Sequence, residues 1–129
     1  MTKIKTLIVE DNDNFRRALG DLLHTKFPFM ILEEATTGQE VLAKVASFQP
    51  EIIFLDIRLP GENGLSLTPK IKKLLPTIKI IILTAHDLPE YREAAYQKGA
   101  DYFLAKGTTS NTEIINLVEN ILSSTRGNS

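Results

Sequence analysis

The sequence contains no cysteine among its 129 residues. Disulfide frameworks and Cys-ligated zinc or iron–sulfur centres are therefore excluded, and a reducing compartment is permitted. Long apolar runs are also missing. The N-terminal Met1-Thr2-Lys3-Ile4-Lys5-Thr6 leads into a short apolar stretch that stops at Glu10-Asp11, too short for a signal sequence. No run approaches the roughly 18 residues that span a bilayer. Charge of one sign is not in excess: 15 Lys+Arg stand against 16 Asp+Glu, a net charge of −1. No global basic field draws in nucleic acid or an anionic membrane. These absences point to a soluble, cytoplasmic chain without a membrane partner. What remains is ordinary globular composition, 43% hydrophobic and 24% charged, which argues against disorder and coiled coil. A chain of this length forms one core that buries roughly two-thirds of its unfolded surface.

Three short runs are apolar at nearly every position: Leu7-Ile8-Val9, Ile52-Ile53-Phe54-Leu55 and Ile80-Ile81-Ile82-Leu83. Unbroken runs of strand length rich in β-branched residues suit strands covered on both faces, as in a parallel sheet flanked by helices. Met30-Ile31-Leu32, which passes into Glu33-Glu34, and Tyr102-Phe103-Leu104-Ala105, which ends on Lys106, fit sheet edges. Between these runs the period becomes helical. Phe15, Ala18, Leu19, Leu22 and Leu23 form one stripe after Asp11-Asn12-Asp13-Asn14; Val41, Leu42, Val45 and Phe48 form a second. Ile71, Leu74 and Leu75 mark a third helix, best begun at Pro69 after a Thr68 cap, the alternative being an earlier start that tolerates a distortion at Pro69. Asp87 and Glu90 open a fourth, weakly amphipathic helix closed by Gly99, and the capping box Ser110-Asn111-Thr112-Glu113 opens the fifth. Residues 1–122 thus form one domain, and Ser123–Ser129 read as a linker-like tail. Five alternating β/α units imply a doubly wound parallel sheet of order 2-1-3-4-5, with a switch point between strands 1 and 3.

The residues immediately after the buried runs carry the chemistry. Strand 1 ends in Glu10-Asp11, strand 3 in Asp56, strand 4 in Thr84 and strand 5 in Lys106, and in a parallel sheet these ends share the ligand-binding rim. Carboxylates on strands about 4.8 Å apart come close together, and two charges about 4 Å apart repel by about 4 kcal/mol at an effective dielectric near 20. A raised pKa or a divalent cation relieves this, and an open all-oxygen site suits Mg²⁺. A carboxylate nucleophile, a metal, the Thr84 hydroxyl and the Lys106 ammonium together make a phosphoryl site. Taken singly, each residue has a plainer reading as a turn, a cap or a solvated edge charge.

The same residues resemble the response-regulator receiver domains of bacterial two-component systems, up to about Leu122. The resemblance lies in Glu10-Asp11, in Asp56 followed by Leu59-Pro60 and Gly64, in Thr84-Ala85, and in Gly99-Ala100-Asp101-Tyr102-Phe103-Leu104-Ala105-Lys106. It implies the flavodoxin-like, CheY-like (βα)5 fold, with Asp56 as phosphoacceptor. It implies that Glu10, Asp11, Asp56 and the backbone carbonyl of Arg58 hold Mg²⁺, and that Thr84 and Lys106 bind the phosphoryl group. Phe103, three residues before the lysine, is then the switch aromatic, expected to turn inward on phosphorylation and to alter the surface of helix 4, strand 5 and helix 5. Gly107 replaces the proline common after the lysine, so a cis peptide there is not assumed. Gly107 with Thr108-Thr109-Ser110 is similar to receivers of the NarL/FixJ type. Arg58 and His86 flank the phosphoryl position in such domains.

The implied partners are a sensor histidine kinase or histidine phosphotransfer protein and a phosphorylation-dependent second copy, with DNA reached only through an output domain outside this chain. Transcription control is the favoured output; a free-standing receiver or phosphorelay protein is the alternative. The domain catalyses only its own phosphoryl transfer and dephosphorylation. A phosphohydrolase of the haloacid-dehalogenase type needs a second Asp two residues after the nucleophile, where Arg58 stands. A degenerate receiver conflicts with the intact acidic, Thr and Lys set. A flavin binder conflicts with the acidic and amide side chains after strand 1, which repel a phosphate.

Overall fold

A computed structural model describes residues 3–126. The elements alternate: β1 (Ile4–Val9), α1 (Asp13–Lys26), β2 (Met30–Ala35), α2 (Gly38–Phe48), β3 (Ile52–Leu55), α3 (Gly64–Leu74), β4 (Lys79–Thr84), α4 (Pro89–Gln97), β5 (Tyr102–Ala105) and α5 (Asn111–Arg126). All strand pairs are parallel, in the order β2-β1-β3-β4-β5. The apolar runs are unbroken because both faces are covered. Ile53, Leu55, Ile80 and Ile82 point toward Val41, Val45, Leu67 and Ile71 of α2 and α3. Ile52, Phe54, Ile81 and Leu83 point toward Leu19 and Leu23 of α1 and Ile114, Val118 and Ile121 of α5. Each such fully buried side chain contributes about 1.5–3 kcal/mol of transfer free energy. Among the described residues no helix is long and apolar enough to cross a membrane.

Local chemistry explains most helix ends. Asn12 caps α1 by accepting from the Phe15 amide at 2.9 Å, and Ser110 and Glu113 form the reciprocal box that starts α5, each bond 3.1 Å. Gly99, with φ of 111°, closes α4 in the left-handed conformation glycine tolerates best.

Several boundaries differ from the sequence reading. α3 starts at Gly64, capped by the Asn63 side chain on the Leu65 amide, and Pro69 lies inside it. Thr68 is not a cap: its hydroxyl donates to the Gly64 carbonyl one turn back, at 2.9 Å. The Asp87–Glu90 box does not form either. Leu88 occupies the N-cap of α4 without a side-chain bond, Pro89 opens the helix, and Asp87 faces Arg92 at 3.5 Å. β2 continues through Glu33 and Glu34, whose charges are met by Lys44 and Arg16. α5 runs on through Ser123 to Arg126, where the sequence suggests linker; residues 127–129 lie outside the described residues.

Candidate functional site

The sheet register sets the site. Val9 pairs with Leu55 and Thr84 with Ala105, so Glu10, Asp56 and Lys106 each stand one residue beyond a paired position at the C-terminal rim. The ladder extends by one bond at each: Glu10 N–H to Ala35 O at 3.1 Å, Asp56 N–H to Val9 O at 3.1 Å and Lys106 N–H to Thr84 O at 2.9 Å. Backbone placement of these residues is therefore inherited from the core. Just past Asp56 the chain folds tightly on itself, with Gly64 N–H donating to Ile57 O at 2.7 Å. A Cβ on Gly64 would lie 2.1 Å from the Asp56 carbonyl oxygen, so only glycine lets the start of α3 approach the acidic residue this closely.

Side-chain oxygens of Glu10, Asp11 and Asp56 all lie within 4.8 Å of one another. Lys106 Nζ reaches Glu10 Oε1 at 2.5 Å and Asp56 Oδ2 at 3.0 Å. Backbone amides take the other oxygens, Ile57 N–H donating to Asp56 Oδ1 at 2.7 Å and Asn12 N–H to Glu10 Oε2 at 3.0 Å. The Lys106 ammonium also sits 4.5 Å from the Phe15 ring centroid, which leaves it a dry, electron-rich wall on one side.

The electrostatics are unbalanced. Burial, followed in effect by the Asp56 charge, holds the Glu10 carboxyl above its ordinary range, although Lys106 and the Asn12 amide pull it down. For Lys106, burial is the largest single influence and opposes the ammonium, but Glu10 and Asp56 together outweigh it and the net shift is upward. Of the three carboxylates, the single ammonium thus bonds two, Glu10 and Asp56. The donor set is all oxygen, with Asp11 exposed to solvent and Glu10 and Asp56 buried, a combination that fits a hard divalent cation keeping part of its water shell.

The structure brings together Glu10, Asp11, Asp56 and Lys106 as expected, with Thr84 next to Lys106 in the ladder. Thr84 is fully buried and its oxygen accepts from the His86 amide at 3.2 Å; a hydroxyl that accepts can donate at the same time. Arg58 is exposed in the β3–α3 loop. The His86 ring stacks edge-on against Tyr91, with centroids 6.5 Å apart. All described peptide bonds are trans.

Phe103 departs from expectation. Its ring does not wait outside the sheet: it is 3% exposed, inside the α2–α3–α4 core, with the Arg92 guanidinium 4.8 Å from its centroid. The reason is on α4. Tyr96 Oη accepts from the Phe103 amide at 3.1 Å and Arg92 donates to the Phe103 carbonyl at 3.4 Å, so one helix satisfies both backbone groups of this residue on the open edge of β5.

Sequence reasoning missed two residues at the site. Phe15 read only as part of an apolar stripe, yet its ring walls Lys106. Arg16 carried no reading in the sequence, yet it donates to the Glu10 carbonyl at 2.9 Å. A signal existed: position 16 closes the first turn of α1 after the Asn12 cap, near enough to the β1 end for a long side chain to return to it.

A doubly wound five-stranded sheet with an acidic cluster at the switch point between β1 and β3 defines an α/β domain whose business lies at the carboxyl ends of its strands. Comparison with known proteins makes this specific: the chain matches the response regulator receiver domain over residues 6–119 and belongs to that family. It is a phosphorylation-activated signalling domain of two-component systems rather than a classical enzyme. Transcriptional regulatory protein LnrK of Bacillus subtilis (strain 168) is 32% identical over 109 residues, covering 84% of this chain and 50% of the relative. Response regulator protein VraR of Staphylococcus aureus is 33% identical over 117 residues, covering 89% and 54%. The chain therefore spans about half the length of the curated relatives it matches. A CheY-like receiver domain protein from Methanospirillum hungatei JF-1 shares the fold, with a TM-score of 0.90 at 24% identity over 99% of this chain and 100% of that one.

Proposed function

We propose that Asp56 is the phosphoacceptor, taking a phosphoryl group from the phosphohistidine of a sensor kinase or phosphotransfer protein. The observation that carries this reading is the meeting of Glu10, Asp11 and Asp56 oxygens within 4.8 Å, with Lys106 spanning Glu10 and Asp56. An Asp56 carboxylate oxygen attacks phosphorus, the P–N bond to the donor imidazole breaks, and the imidazole departs with that electron pair. Glu10, Asp11, Asp56 and the Arg58 carbonyl are the residues we assign to hold Mg²⁺, which when bound neutralises the equatorial phosphoryl oxygens. Lys106 offers its ammonium to the same oxygens and exchanges one carboxylate contact for the phosphoryl. Thr84 donates its hydroxyl proton to a phosphoryl oxygen. His86 stays a loop residue.

Phosphorylation adds about two negative charges and three strong acceptors. Drawing Thr84 and Lys106 toward them rearranges the space beside Phe103, whose inward ring is the conformer we assign to the phosphorylated state. α4 is the element most easily moved, since only Ala95 of it is buried and its N-terminus has no side-chain cap. The α4–β5–α5 face then carries the signal, to a second copy or to an output region that regulates transcription in the cytoplasm; LnrK's description as a transcriptional regulatory protein favours this over a free-standing relay. The test is beryllofluoride with Mg²⁺ added to labelled protein. Shifts at Thr84, Phe103 and Lys106 amides that vanish in Asp56→Asn support the reading; an unchanged spectrum overturns it.

A further inference from the structure

The acidic turn after β1 has to keep Glu10 and Asp11 in place through metal binding and release, and its own backbone offers little for that. Glu10 N–H makes the last ladder bond to β2, at 3.1 Å from Ala35 O, and beyond it the chain leaves the sheet. The Glu10 carbonyl has no strand to pair with. It is met by Arg16, whose side chain is 15% exposed and lies across the end of the β1–β2 pair. Three guanidinium nitrogens serve three segments: Nη1 to Glu10 O at 2.9 Å, Nε to Glu34 Oε1 of β2 at 3.0 Å and Nη2 to Asp13 Oδ1 at the start of α1 at 2.6 Å. The planar fork suits such a junction, which lysine cannot reproduce.

We propose that Arg16 is a positioning residue for the metal-binding turn, fixing Glu10 and Asp11 through the Glu10 carbonyl, while Asp13 and Glu34 keep its charge off Asp11. The proposal rests on the reading of Glu10, Asp11 and Asp56 as Mg²⁺ ligands. The choice of atom matters. Arg16 grips the peptide oxygen of Glu10 and leaves both carboxylate oxygens to Asn12 and Lys106. It therefore orders the turn without occupying a ligand. The guanidinium lies one peptide unit from Asp11, the most accessible carboxylate of the cluster. The two carboxylates that hold Arg16 are 73% and 51% exposed, so as surface ion pairs they contribute little to stability. Their use here is to orient the fork and to spend its charge locally.

The sign of one measurement separates this role from a simple charge effect. On electrostatics alone, a cation beside three carboxylates weakens Mg²⁺ binding, so Arg16→Gln should bind Mg²⁺ more tightly. Loss of positioning predicts the reverse, a weakening of about tenfold, the lower end of what outer-shell partners of metal ligands contribute. Glu34→Gln supplies an internal control. By freeing the fork toward Asp11 it should weaken binding about threefold in the wild-type background and leave binding unchanged in Arg16→Gln, whereas a long-range field effect persists in both.

The experiment is a Mg²⁺ titration of wild type, Arg16→Gln, Arg16→Lys, Glu34→Gln and the Arg16→Gln/Glu34→Gln double variant, followed by amide spectra. Core-strand amides report that the fold is intact, and Arg16→Lys, which keeps the charge, carries the test if Arg16→Gln does not fold. Weaker binding in both Arg16 variants, with the Glu34 effect confined to the wild-type background, is the expected result. Equal or tighter binding in the Arg16 variants overturns the positioning role alone. A wild-type protein that shows no response to millimolar Mg²⁺ overturns the metal-site reading and this inference with it.

Discussion

Among the described residues Lys106 is the one cation bonded to the carboxylate groups of the acidic cluster, and its removal tests how far the site depends on it. In Lys106→Met the stem is retained and the ammonium is lost. Three carboxylates against one ammonium become three against none, a change in formal charge from −2 to −3 within a cluster spanning 4.8 Å. The side chains left behind are 4% and 8% exposed at Glu10 and Asp56, too buried for water to replace the lost partner. Breaking a buried pair in this way costs about 3 kcal/mol, or about 10 °C in melting temperature for a domain of this size. Urea unfolding by circular dichroism, in EDTA and in Mg²⁺, measures it. A cation at ten times its dissociation constant returns about 1.4 kcal/mol. The variant should gain more than wild type from Mg²⁺, because no ammonium has to give way. The pH dependence has a definite sign. Glu10 and Asp56, acting against burial, hold Lys106 above its ordinary 10.5. The stability that separates wild type from Lys106→Met is therefore fully present below pH 10.5 and is lost as pH rises through the folded-state value. A variant within about 0.5 kcal/mol of wild type in EDTA, against the expected cost, or a deficit that Mg²⁺ leaves untouched, would refute the reasoning.

Three shorter predictions concern the same framework. Thr6 Oγ1 is fully buried in β1 without a hydrogen-bond partner, so Thr6→Val should stabilise the protein by about 1 kcal/mol in urea unfolding, and a loss of stability would contradict this. Gly64→Ala places a methyl against the Asp56 carbonyl and Ile57 Cα, neither of which can move cheaply; a cost above about 2 kcal/mol is expected, with loss of labelling at Asp56. Burial first, and then the Asp56 charge, raise the metal-free Glu10 carboxyl above its ordinary 4.5. Between those two values the native state holds a proton that the unfolded chain has released, so this contribution falls as pH rises through the window. Glu10→Gln should remove that slope from stability measured in EDTA, and an unchanged slope counts against the burial argument.

The legible part of the molecule was the part governed by burial. Runs such as Ile52-Ile53-Phe54-Leu55 have no polar face to present, so they identify central parallel strands, and the strand order follows with the charged runs at the edges. The rim residues were legible for the same reason, since each follows directly on such a run. Helix starts were less so. Asn63-Gly64 did not read as a helix start because glycine is a poor helix former, and its value here is the close approach to the Asp56 backbone, visible only in three dimensions. Pro69 looked like a first-turn residue, yet α3 tolerates it in its interior. Asp87 has the right spacing from Glu90 for a box, but it faces Arg92 instead. The inward place of the Phe103 ring was not legible: the pull of Arg92 and Tyr96 from α4 on its backbone is a long-range arrangement that spacing does not encode. Arg16 was hidden in the same way, as a charged helix residue whose partner is a backbone oxygen.

Intact-mass analysis of the protein incubated with acetyl phosphate, followed by peptide mapping, tests the assignment of Asp56 most directly. One phosphoryl group should appear on the peptide carrying Asp56 when Mg²⁺ is present, and disappear both in EDTA and in Asp56→Asn. Modification at another residue, or Mg²⁺-independent modification that survives in Asp56→Asn, would contradict the assignment of Asp56 as the phosphoacceptor.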